Sequence, residues 1–101
     1  MNISPSRIKQ SIDPISFYFD ELGISPSSSG IGWYVAGLCP FHEDKHEGSF
    51  RVNFSSGSFI CFACGSKGGD IIAFTQRRYE LSFSEAMHQL SKEWRVYVPS
   101  L

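Results

Sequence analysis

The chain is 101 residues long, with nine Lys and Arg against ten Asp and Glu, a formal charge of −1. That size sets an expectation of a single domain over 1–101 with a modest core. Near-neutrality argues against a protein that grips nucleic acid mainly through phosphates. Its three cysteines cannot pair completely as disulfides, which implies reduced thiols and a cytoplasmic setting. Residues 1–10 are polar, unlike a signal peptide, and every apolar run is too short to span a bilayer, so no membrane partner is expected.

In chain order, Ser4-Pro5 reads as a helix start, with Ser4 as N-cap and Pro5 in the first turn. Ile8 and Ile12 share one face. Asp13-Pro14 repeats the signal and predicts a second short helix over 14–21, with Ile15, Phe19 and Leu22 continuing an apolar stripe and Gly23 as the stop. This helical lead-in covers 1–24. The serine-rich stretch over 25–32 reads as a loop. Residues 33–38 read as a strand, and 49–54 alternate, with Phe50, Val52 and Phe54 on one face and Ser49, Arg51 and Asn53 on the other. Ser55-Ser56-Gly57 is a hairpin turn, and 58–62 returns as the next strand.

Gly65-Ser66-Lys67-Gly68-Gly69 reads as a flexible connection. Asp70 caps a helix carrying Ile71, Ile72, Phe74 and Tyr79. Ser82-Phe83-Ser84-Glu85 is a capping box for a last helix with Phe83, Met87, Leu90 and Trp94 as its core stripe. A short final strand is expected over 96–98, so that 69–98 holds two helices and a strand. Arg77-Arg78 fits a favourable charge at a helix C-terminus.

The chemistry concentrates in 33–65. Cys39-Pro40-Phe41-His42 and Cys61-Phe62-Ala63-Cys64 are two ligand pairs, each with a two-residue spacer that lets one tight turn aim both side chains at one point. Two such turns face each other across a hairpin in a zinc ribbon, and together they supply the tetrahedral set of a structural Zn²⁺ site. His46 is the competing fourth ligand. It would lengthen the spacer to six residues, so the spacing favours Cys39, His42, Cys61 and Cys64, with His88 as a surface or packing histidine. Gly65 suits a positive φ after the second turn.

These residues together resemble the zinc-binding domain of DnaG-type DNA primases of bacteria, phages and plasmids. The motifs that carry the likeness are Cys39-Pro40-Phe41-His42, Lys45, Ser49-Phe50-x-Val52, Phe59-x-Cys61-Phe62-x-Cys64-Gly65 and Gly69-Asp70-x-Ile72-x-Phe74. The resemblance implies an α+β fold, a small antiparallel sheet bearing the zinc ribbon, flanked by short N-terminal helices and two C-terminal helices. It implies one structural zinc and a role in binding single-stranded DNA template and helping to select the primer start site. Its expected partners are a primase polymerase domain, in cis or in trans, and a replicative helicase. The chain departs from the family pattern at His46-Glu47-Gly48-Ser49, at Ala63 and in the lysine-free turn 55–58.

Strand alternation puts Arg51 opposite the apolar row, and Lys45 and Lys67 flank the ribbon. With Phe62 these are the candidate nucleic-acid contacts. Phe59 and Phe62 are each equally suited to the core or to stacking on a base. No cluster of carboxylates suited to two Mg²⁺ ions is apparent, so a catalytic centre is not expected in this chain. Glu43, Asp44 and Glu47 read as a solvated turn. The alternative is a free-standing ribbon that docks on a primase, helicase or other replication factor without touching DNA.

Overall fold

The structure is a computed structural model and describes residues 4–23 and 32–96. Its elements are helices α1 (Pro5–Ser11) and α2 (Pro14–Leu22), strands β1 (Trp33–Val35), β2 (Phe50–Asn53), β3 (Phe59–Cys61) and β4 (Lys67–Gly68), and helices α3 (Ile71–Tyr79) and α4 (Phe83–Glu93). The α+β class expected from the sequence is observed. The four strands form one antiparallel sheet in the order β1-β2-β3-β4.

Both Pro-initiated helices begin where an oxygen satisfies a free backbone N–H: Ser4 Oγ accepts from Arg7 N at 3.0 Å, and Asp13 Oδ2 from Ser16 N at 3.2 Å. The same logic starts the later helices. Asp70 accepts from Ala73 N at 2.8 Å, and the Ser82–Glu85 capping box is formed in both directions.

Strand register sorts the side chains. Phe50 faces Cys61 and Val52 faces Phe59, and all four are buried on one side of the sheet. Helix α3 lays Phe74 against that side, its ring 5.4 Å from both Phe59 and Phe41 and edge-on to Phe17 and Tyr18. Tyr18 Oη donates to the Gly57 carbonyl at 2.6 Å, which ties α2 to the β2–β3 turn; burial pushes its ionisation well above the ordinary tyrosine range.

Four expectations change. In α2 the buried residues are Phe17 and Tyr18, while Phe19 is exposed. Both faces of this short helix are apolar, and the hydroxyl bond of Tyr18 and the packing of Phe17 on Phe74 decide which turns inward. In α4 the buried row is Ala86, Met87 and Leu90, and Phe83, in the first turn, is exposed. The connection after the second cysteine pair is not slack: Lys67 and Gly68 pair with Ile60 and Phe59 as β4. Strand β1 stops at Val35, because Ala36 and Gly37 turn the chain toward Cys39. Val96 lies outside any strand, and the rest of the expected final strand, like the loop over 25–31, falls outside the described residues. Among the described residues no helix is long and apolar enough to cross a membrane.

Gly68 carries a tight constraint. A Cβ there would sit 2.5 Å from the Phe59 ring and 2.8 Å from Ala73 Cβ, whereas one at Gly69 would meet nothing within 4 Å. Gly68→Ala is therefore expected to lower stability by about 1–3 kcal/mol through overpacking, and Gly69→Ala to change it little. Urea unfolding of the zinc-loaded proteins measures both; equal midpoints would contradict the packing described.

Candidate metal centre and the exposed face of the ribbon

The first ligand pair hangs from the end of β1. Ala36 N donates to Phe50 O at 3.0 Å, which holds the exit of β1 against β2. Asp44 closes the turn that follows: its carboxylate accepts from Cys39 N at 2.8 Å and from His46 N at 3.5 Å. Those hydrogen bonds, led by the one from Cys39, hold the Asp44 carboxyl below its ordinary range. Within the turn, Phe41 is half-buried and packs on Phe50, Phe59 and Phe74, so the knuckle is rooted in the core.

The second pair grows from β3. Cys61 is its last residue, and Gly65 at φ 80 donates back to Cys61 O at 2.9 Å. Ser66 is buried; its carbonyl accepts from Cys61 N at 2.7 Å, and its Oγ lies 3.1 Å from Cys64 Sγ.

Together the two turns bring one atom from each of Cys39, His42, Cys61 and Cys64 within 4.8 Å of one another, a group able to hold a metal ion. Cys39 and Cys64 sulfurs are 3.9 Å apart, and Cys61 Sγ lies 3.4 Å from His42 Nε2. A tetrahedral zinc with sulfur at about 2.3 Å and nitrogen at about 2.0–2.1 Å implies edges of about 3.8 and 3.6 Å. The donors fit that ion, and all three cysteines are free rather than disulfide-bonded. His42 Nδ1 lies 3.2 Å from the Glu43 carbonyl, which can only accept. The proton therefore belongs on Nδ1, leaving Nε2 for the ion.

The thiols differ. Burial pushes Cys39 up to about 12. Burial opposes a thiolate at Cys64 too, but hydrogen bonding from Ser66 and from the other two cysteines outweighs it and brings Cys64 down to about 7. A bound dication supplies the charge compensation that lets such a cluster sit as thiolates.

The competing ligand His46 is exposed and outside the cluster, and His88 is exposed on α4. Two contributors escape a reading of the sequence. Asp44 belongs to a turn that looks like a solvated acidic loop, and Ser66 to a stretch that looks slack. Their only signal is position, each two residues beyond a ligand.

Three of the candidate nucleic-acid contacts, Arg51, Phe62 and Lys67, lie elsewhere, on the face of the sheet that the helices leave open. Arg51 projects there beside Ile60 and Val35, its guanidinium 5.4 Å from the centre of the Phe62 ring. Phe62 is 66% exposed and Phe59 1%, which separates two residues the sequence leaves equivalent. Lys67 is exposed next to Ile60, and Lys45 is exposed in the loop after the first knuckle. Arg77, read as a helix-end charge, also lies over the Phe41 ring at 5.8 Å.

A four-stranded ribbon with two facing knuckles and a closed three-sulfur, one-imidazole donor set defines a small zinc-binding domain with one structural zinc. Comparisons with known proteins give its family. The family model described as the CHC2 zinc finger matches residues 24–101, and the chain belongs to that family. It is 47% identical over 60 residues to the DNA primase of Streptomyces coelicolor, covering 59% of this chain and 9% of that protein. The DNA primase of Rickettsia prowazekii is 40% identical over 81 residues, 80% of this chain and 13% of the relative. Among solved structures, the Aquifex aeolicus primase, a structure of its zinc-binding and RNA polymerase domains, matches with a TM-score of 0.72 at 28% identity. That match covers 98% of this chain and 23% of the other. The chain thus spans about a tenth of the length of these curated relatives.

Asp44→Ala frees the Cys39 amide and loosens the first knuckle. Zinc affinity, read by competition with a chromophoric chelator, is expected to fall about 10-fold or more, the usual cost of removing a group that orients a ligand. Glu47→Ala should leave it unchanged. Equal affinities for all three proteins would mean that Asp44 has no part in shaping the site.

Proposed function

We propose that Cys39, His42, Cys61 and Cys64 are the ligands of the structural zinc, and that the chain is the non-catalytic, template-binding module of a DNA primase. In this reading it binds single-stranded DNA and helps to select where RNA primer synthesis starts. Polymerisation belongs to another domain, in the same chain or a separate one. Family membership supports the primase context. The single observation that carries template binding is the open face of the ribbon, where Arg51 and an exposed Phe62 are stacked together and Lys67 is exposed on the neighbouring strand edge.

Physical chemistry limits the strength of such a contact. With two cations on the face, a third, Lys45, exposed in the loop after the first knuckle, and a chain charge of −1, phosphate attraction is weak, and stacking must contribute much of the affinity. Two of the acids have structural tasks: Asp44 holds the Cys39 amide, and Asp70 caps α3 and pairs with Lys9 at 3.5 Å. A helicase or polymerase contact would supply the remaining affinity in the assembled machine.

The test is an amide-shift titration of the zinc-loaded, isotope-labelled chain with short single-stranded DNA at several salt concentrations. Shifts should cluster at Lys45, Arg51, Phe62 and Lys67, and log K should fall against log salt with a slope no steeper than about −2, the value for three neutralised phosphates on a single strand. No response on this face at low salt, with binding instead to a primase or helicase partner, would replace the reading with that of a protein-docking ribbon.

A further inference from the structure

The open face of the sheet is not flat. Trp33 on β1, 51% exposed, and Phe62, just past β3, line a cleft of about 290 Å³ together with Ile60 and Arg51. This is at the small end of ligand clefts, suited to one planar group rather than two. A second cleft of about 450 Å³ shares Trp33 and Ile60 and continues past Lys67 to Gly68 and Gly69. Trp33 therefore stands as a wall between a small aromatic slot and a longer groove that carries a lysine.

Arg51 is held in a defined pose at the slot. Its Nε–H donates to the Gly48 carbonyl at 3.2 Å, and its guanidinium lies against the Phe62 ring. Both contacts leave the two terminal amino groups free to act as a fork, since no ion pair engages them among the described residues. A fork of this kind matches two adjacent acceptors on one edge of a ligand. Among unpaired bases, guanine offers that arrangement through O6 and N7 and cytosine through O2 and N3, whereas adenine sets an acceptor beside a donor and thymine separates its two carbonyls by an N–H. Between guanine and cytosine, the larger purine offers more stacking surface to Trp33 and Phe62.

We propose that the cleft between Trp33 and Phe62 receives one unpaired guanine of the template, with the terminal nitrogens of Arg51 bonded to its O6 and N7. The inference rests on the reading of the chain as a binder of single-stranded DNA. It adds a residue outside the expected contact set, Trp33, and a base preference. The adjoining groove carries the neighbouring backbone, with Lys67 beside its phosphates. Ile60 forms the apolar floor that excludes water beneath the base.

The experiment titrates the zinc-loaded, labelled chain with a dT hexanucleotide and with versions carrying a single internal dG, dC, dA or 7-deaza-dG. Affinities are followed through the Trp33 indole N–H and the Arg51 Nε–H. The dG strand should bind about 10-fold more tightly than the dT, dA and 7-deaza-dG strands, the middle of the range for one bidentate arginine–base contact, and more tightly than the dC strand by the difference in stacking. Arg51→Lys should erase the preference while retaining binding, and Trp33→Ala should weaken every strand about 10-fold, as expected for a lost stacking ring. Equal affinity for all five strands with Trp33→Ala unchanged, or a dC strand that binds as tightly as dG, would overturn the guanine slot and leave template binding intact. Failure of every strand to bind at low salt would remove template binding itself, and the slot with it.

Discussion

The convergence of four side chains from two turns is the constraint on which the rest of this small protein depends. The sheet is built of strands two to four residues long, too short to hold their register through backbone pairing alone. One ion held by Cys39, His42, Cys61 and Cys64, the four residues whose donor atoms converge, would join the exit of β1 to the exit of β3 across the intervening hairpin. Structural zinc of this kind contributes on the order of 10 kcal/mol to folding, comparable with the whole stability of an ordinary domain. The cross-link reaches the core through Phe41, which sits between two ligands and packs on three other phenylalanines. Metal site and core are in this sense one cooperative object.

The period-2 alternation of the strands then divides the labour. One side of the ribbon, Phe50, Val52, Phe59 and Cys61, is spent on stability and is covered by α3 and α2. The other side is left open, with Trp33, Val35 and Phe62 exposed around Arg51. An exposed cluster of large apolar rings is costly for solubility, and in a small protein it marks a surface that meets something. The register cannot slip by one residue without exchanging the two faces, and a metal anchored at both ends of the hairpin resists that slip.

Much of this was legible in the sequence, and the gaps have physical causes. Ligand spacing is a local rule, so the four cluster residues could be read directly, as could the caps Ser4, Asp13, Asp70 and Ser82, whose partners are three residues away. The strand alternation of Phe50, Val52 and Phe54 was equally plain. What escaped depends on contacts distant along the chain. Phe17 and Tyr18 rather than Phe19 are buried because a hydroxyl finds Gly57, 39 residues away. Two-residue β4 has no periodicity to detect and exists because β3 offers it an edge. Asp44 looks like any surface acid until the turn folds its carboxylate onto the Cys39 amide. Phe59 and Phe62 stand three residues apart, an odd step that puts Phe59 with Cys61 on the buried side and Phe62 with Ile60 on the open one.

Zinc K-edge X-ray absorption on the purified, metal-loaded chain tests the central claim most directly. The account predicts a first shell of three sulfurs at about 2.3 Å and one imidazole nitrogen at about 2.0–2.1 Å, with no water, changing to an altered shell in His42→Ala and remaining as it was in His46→Ala. A shell containing a water oxygen, or one disturbed by loss of His46 rather than His42, would contradict a closed structural site built on Cys39, His42, Cys61 and Cys64.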